Sequence, residues 1–166
     1  MTTRADRELA TIPWKLILLA GLCGGMAEVL WVALYGSLTA LDAGEVAREV
    51  TASVIPNAAA QSWAPALGVA IHLALSLALG MIFAFTVWLP VTRHLSAAGA
   101  MAAAVACLTA IWAFNFFIIL PELNPGFLRL MPLAVTLFSK VLFGAGMAAV
   151  LQRAADKPAP KFAIES

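Results

Sequence analysis

LRLMPLAVTLFSKVLFGAGMAAVL, residues 128–151, is a mostly apolar run with a single lysine, Lys140, at its middle. About 20 apolar residues cross the hydrocarbon core of a bilayer, so the run predicts a membrane-spanning helix. At ~1.5 Å of rise per residue Lys140 falls roughly 16 to 18 Å from either end, too deep for its own side chain to reach water. A lone charge there costs roughly 2.5 to 3.5 kcal/mol. Lys140 therefore predicts a partner inside the protein.

The rest of the chain has the same character. Of its 166 residues 63% are hydrophobic and 11% charged, and mean hydropathy is +0.94, which excludes an ordinary soluble domain. A net charge of +1, with no basic cluster interleaved with aromatics, excludes a nucleic-acid partner. Cys23 and Cys107 both lie in apolar runs without a CxxC, where a cysteine packs as a small hydrophobe.

Four spans are predicted, at about 14–38, 63–89, 95–120 and 128–151, forming one transmembrane domain over 14–152 between polar tails at 1–13 and 153–166. Arg4, Arg7 and Lys15 before the first span resemble the start of a signal peptide, but Leu16–Leu34 is long for one and contains Glu28, so a retained helix is expected. Between the first two spans Asp42 and Glu45 make a capping-box-like start, and Val46, Val50 and Val54 recur at helical spacing. That predicts a short amphipathic helix over about 42–55, lying on the membrane surface or over the bundle. Arg93 and His94 form a very short second turn, and Pro121, Glu122, Asn124, Pro125 and Gly126 a third. The fold class expected is all-α, an up-down bundle of four transmembrane helices with one surface helix.

Small residues mark the faces that should meet other helices. Gly21, Gly24 and Gly25 include a GxxxG in the first span. Gly68, His72, Ser76, Gly80 and Ala84 recur every four residues in the second; Gly99, Ala103, Cys107, Ile111 and Asn115 do so in the third; Thr136, Lys140, Gly144 and Ala148 do so in the fourth. Such stripes face protein rather than lipid.

Counted inward at ~1.5 Å per residue, Glu28 lies about 16 Å deep, His72 about 13 Å and Lys140 about 18 Å. Three ionisable groups from three spans thus share a layer, with Asn115 somewhat above it and Ser76, Thr136 and Ser139 supplying hydroxyls. Pairing Glu28 with Lys140 is the simplest relief, and such a pair fixes helix register more than it stabilises. Proton or ion handling by Glu28, His72 and Lys140 is the first functional alternative. A buried glutamate in the first of four helices is similar to the layout of small multidrug-resistance exporters, which are shorter, lack a long first loop and place no lysine at the position of Lys140. The second alternative is a cofactor: haem b on His72, which requires a second axial ligand, or a quinone near His72, Trp112 and Asn115. No metal site is expected, since Cys23 and Cys107 fall in the half opposite His72. Nor is an enzyme: GxSxG, HExxH and P-loop patterns are missing, as is the CxxC that a thiol oxidoreductase of the vitamin K epoxide reductase kind requires.

Orientation follows from the cations. With both termini in the cytoplasm, Arg4, Arg7, Lys15, Arg93, Arg153, Lys157 and Lys161 lie inside and Arg48 and Arg129 outside, as the positive-inside rule demands. Trp14 and Trp88 then mark the inner interface, and Tyr35 and Trp63 the outer. NFFIILPELNPGFLRLMPLAVTLFSKVLFG looks like small bacterial inner-membrane proteins, which implies a location and no activity. The role expected is a non-enzymatic accessory or scaffold subunit, in a homo-oligomer or beside other membrane subunits.

Overall fold

The computed structural model describes residues 13–91 and 95–155. The tail before Pro13, the Arg93–His94 turn and the tail from Asp156 lie outside them. Every regular element in the described residues is helical: α1 is Trp14–Leu38, α2 Ala43–Val54, α3 Ala64–Phe83, α4 Ala97–Phe114, α5 Pro125–Leu130 and α6 Leu133–Ala155. Both α3 and α4 run on, α3 through a π-helical segment at Ala84–Trp88 into Leu89–Val91, and α4 through another at Asn115–Ile119 into Leu120–Leu123. With these extensions four helices are long and apolar enough to cross a membrane: Trp14–Leu38, Ala64–Trp88, Ala97–Leu123 and Leu133–Arg153.

Each π segment ends two residues before a proline, Pro90 in one case and Pro121 in the other. Proline offers no N–H and its ring crowds the carbonyl four residues earlier; widening the preceding turn relieves that crowding without ending the helix. The helix therefore passes through Pro121 to Leu123, where a turn was expected. Pro132 has the opposite effect. It drives Met131 out of the helical region, to φ −108° and ψ 118°, so the run over 128–151 is not one helix. Residues 128–130 belong to α5, and the last long helix begins at Leu133.

At the centre of the packing is α1, set most extensively against α6 and next against α3. Ile17, Ala20, Gly21, Gly24, Gly25 and Glu28 recur at helical spacing as its buried stripe. Gly21 and Gly80 meet backbone to backbone, so that a Cβ on Gly80 would lie 2.7 Å from the Gly21 Cα, and Gly25 seats the Ser76 side chain. The GxxxG face is thus used within the chain. On the α6 side, Gly24 makes room for the Phe143 ring, and Gly144 lies against the Val105 backbone of α4.

The α4 stripe is displaced by one residue from the expected one. Its buried face is Ala100, Ala104, Leu108 and Trp112, continuing to Phe116 and Leu120, rather than the Gly99-to-Asn115 series. Trp112 decides this: its indole N–H donates to Thr136 Oγ1 at 3.1 Å, a partner that a large ring with a polar edge needs when buried. Trp88 is buried among its neighbours, 4% exposed and packed near Phe83.

α2 packs along the first half of α3, over the bundle. Ala47 opposes Gly68 so closely that a Cβ at Gly68 would overlap the Ala47 carbonyl, and Thr51 Oγ1 donates to the Ala64 carbonyl at 2.6 Å, which is the running order of an antiparallel pair. Asp42 caps α2 by accepting from the Gly44 N–H at 2.7 Å. Glu45 does not complete the capping box; it pairs with Arg48 at 3.1 Å.

Candidate functional site

Lys140 finds its partner in Glu28. Its Nζ donates to Glu28 Oε2 at 2.8 Å, and the neighbouring Ser139 hydroxyl donates to Oε1 at 2.9 Å, so one carboxylate from α1 is held at both oxygens by consecutive residues of α6. Glu28 is only 3% exposed. That depth forbids an unpaired charge and explains the two-point grip. Beyond the carboxylate, Lys140 Nζ lies 5.4 Å from the centre of the Phe143 ring. His72 of α3 brings Nε2 to 3.5 Å from the same Oε2, but the geometry is not that of a hydrogen bond, and Nε2 is left buried with none.

The other expected members of the layer are engaged elsewhere. Ser76 donates to the His72 carbonyl at 2.8 Å, a bond within its own helix. Thr136 accepts from Trp112 and donates to the Leu133 carbonyl at 3.0 Å. Asn115 makes no side-chain hydrogen bond to the pair; it lies across open space from it.

That open space is a cleft. Although α3 packs on α1 and α4 on α6, among the described residues α3 and α4 make their main approach to each other at the Ala84–Trp88 segment. Toward Ala64 and Leu123 they diverge, and the gap forms a cavity of about 850 Å³. Glu28, His72, Ser139 and Lys140 form its floor, and its walls are apolar, among them Leu75, Ala78 and Ile82 from α3 and Ile111, Phe116 and Ile119 from α4. Leu75, Ile82 and Ile111 are exposed at the rim, so the cleft opens sideways between the two helices.

α2 closes the wide end, contributing Val46, Ala47 and Val50 to the lining. Asn124, just past α4, fastens it: the amide donates to the Glu49 carbonyl at 3.1 Å, to Glu49 Oε2 at 2.7 Å and to Ser53 Oγ at 3.0 Å, while the amide oxygen caps α5 at the Phe127 N–H. The sequence gives no hint of this beyond an asparagine before a proline, which signals a turn. Trp31, whose indole N–H donates to the Val135 carbonyl at 3.0 Å, is a second tie between α1 and α6 not evident from spacing.

Among the described residues no three His, Cys, Asp or Glu side chains gather as metal ligands would. No protein-family model, curated protein or solved structure matches the chain.

Proposed function

We propose that the chain is a multi-pass protein of a bacterial inner membrane, threaded up and down with both termini in the cytoplasm, and that it serves as a non-enzymatic subunit holding a membrane-soluble small molecule in the α3–α4 cleft. One observation carries this reading: a charged floor, Glu28 with Lys140, lies at the base of an apolar cavity that opens between two helices. Pockets for small molecules have this composition, apolar walls with a few placed polar groups, and about 850 Å³ is within their usual range. Support for the threading comes from the excess of lysine and arginine at the two termini and the second turn, against acidic Asp42, Glu45, Glu49 and Glu122 at the opposite ends.

Neither proton transport nor haem is as well supported. Both Glu28 oxygens are already engaged by α6, and His72 Nε2, the atom that would ligate iron, is turned against Glu28 and shut off from the cleft. The reading is tested by native mass spectrometry of the full chain extracted from its membrane in mild detergent. A bound small molecule is expected on the wild type and its loss on Ala78→Trp, which fills the cleft from the wall. A chain that carries nothing, and takes up no lipophilic probe in a bilayer disc, would overturn it.

A further inference from the structure

The floor of the cleft holds N–H groups that the protein itself does not use. Lys140 has three N–H groups, and one is used on Glu28. Each acceptor beside it already takes one hydrogen bond, Glu28 Oε1 from Ser139, Glu28 Oε2 from Lys140 and Thr136 Oγ1 from Trp112, and His72 Nε2 is buried away from the cleft. The hydroxyl protons are committed as well, Ser76 to the His72 carbonyl, Thr136 to the Leu133 carbonyl, and Ser139 between Glu28 Oε1 and the Thr136 carbonyl at 2.8 Å. Across the cleft, the Asn115 carboxamide lines the wall with no side-chain partner among the described residues. The cleft therefore offers whatever enters it the two remaining N–H groups of Lys140 and the amide of Asn115.

Charge narrows the choice further. Glu28 and Lys140 cancel each other, so a charged head group would enter an apolar cavity with no counter-ion left for it. An ammonium would meet Lys140 and a carboxylate would meet Glu28. A neutral head meets neither penalty. Depth matters too, since the floor lies at the level of Glu28, 3% exposed and near the middle of α1, whereas the rim residues Leu75, Ile82 and Ile111 are apolar. A ligand reaching the floor must bring its polar group inward and leave an apolar chain at the rim.

Resting on the cleft-binding reading above, the geometry points to an occupant of one class: a neutral, single-chain amphiphile whose head carries hydrogen-bond-accepting carbonyl oxygens, of the quinone type, with Lys140 and Asn115 as the donors that receive it. The ion pair gives the site its preference. Glu28 holds Lys140 in place, and the spare N–H groups of Lys140 select an acceptor.

Three probes with the same ten-carbon tail separate the possibilities: a decyl benzoquinone, decanoate and decyltrimethylammonium, each titrated calorimetrically into the full chain in phosphatidylcholine discs. The quinone is expected to bind at least about tenfold more tightly than either ion, the scale of one well-placed hydrogen bond to a charged donor. Glu28→Gln with Lys140→Met, which removes the ammonium donor and leaves no lone charge, is expected to reduce quinone binding by about tenfold. Asn115→Leu, outside the pair, keeps the test open if that double variant does not fold, and is expected to weaken the quinone about threefold. Equal or tighter binding of decanoate or the ammonium, or quinone binding unchanged in a folded double variant or in Asn115→Leu, would overturn the inference while leaving cleft binding intact. If none of the probes binds, the cleft-binding reading falls with it.

Discussion

The two halves of this molecule are built from the same four helices and packed in different ways. Toward the start of α1 and the end of α6 there is one continuous core, in which Ile17, Phe83, Ala104, Leu108, Phe143, Met147 and Leu151 are at most 2% exposed. Toward Ala64 and Leu123 the core divides into two clusters, Val46 with Met131 and Val135 on one side, and Trp112 with Phe116 and Leu120 on the other. The cleft lies between them. Glycine and alanine account for the closed half: they allow α1 to meet α3, and α4 to meet α6, nearly backbone to backbone. On the open side α4 turns Trp112 and Phe116 toward α6 and α5, where they pack with Leu137 and Phe127, and among the described residues comparable close contacts to α3 are not made there. A bundle of four apolar helices thus has a rigid end and a hollow end, with the ion pair at the boundary.

The strongest way to break the comparison is to strand one charge at that boundary. Lys140→Met leaves Glu28 buried without its cation, and removing one member of a buried pair costs about 3–5 kcal/mol. Unfolding in mixed detergent followed by far-ultraviolet circular dichroism should show that loss. The Glu28→Gln, Lys140→Met double variant should recover most of it, to within about 1 kcal/mol of wild type, because no lone charge remains. A double variant as unstable as Lys140→Met would show that the pair supports packing through more than charge.

A smaller effect separates the halves directly. Ala104 is fully buried in the closed half and Ala78 lines the cleft. Ala104→Leu should cost about 1–3 kcal/mol by overpacking, while Ala78→Leu, entering open space, should stay within about 0.5 kcal/mol of wild type. Equal costs at the two sites would mean that the cleft closes in the membrane.

Much of the closed half is legible in the sequence. Gly21, Gly25, Gly80 and Gly144 stand at four-residue spacings that leave little but a helix contact as their purpose, and the contacts are there. Burial of two opposite charges at one depth makes Glu28 and Lys140 partners by energetic necessity, and the length of each apolar run gives the four long helices. The open half is far less legible, for three physical reasons. Proline has two opposite outcomes: Pro121 is absorbed by a π turn while Pro132 breaks its helix, and the difference depends on the turn before each. The α4 stripe is set by the indole of Trp112 seeking Thr136, so side-chain hydrogen bonding overrides the small-residue pattern by one position. And a cavity is the absence of a contact, which no periodicity encodes. His72 illustrates the limit, since its depth placed it beside Glu28 but could not say that Nε2 would stop at 3.5 Å without a bond.

The most local effect expected concerns α2, which turns the hollow end from a groove into a cleft. Asn124→Ala removes three donations to Glu49 and Ser53 and the cap on Phe127, yet touches neither the long helices nor the ion pair. Asn124 is buried, with its partners only partly so, and a cap together with such hydrogen bonds is worth about 1–2 kcal/mol. The loss should be local, because α2 remains tied to α3 through Thr51 and the close approach at Gly68. Hydrogen exchange of the full chain in bilayer discs reads it: faster exchange over Ala43–Val54 and Pro125–Leu130, with Trp14–Leu38 and Leu133–Ala155 unchanged. Acceleration that spread into Leu133–Ala155 would mean that the two halves unfold together and that the hollow end is held open by the same contacts that close the other.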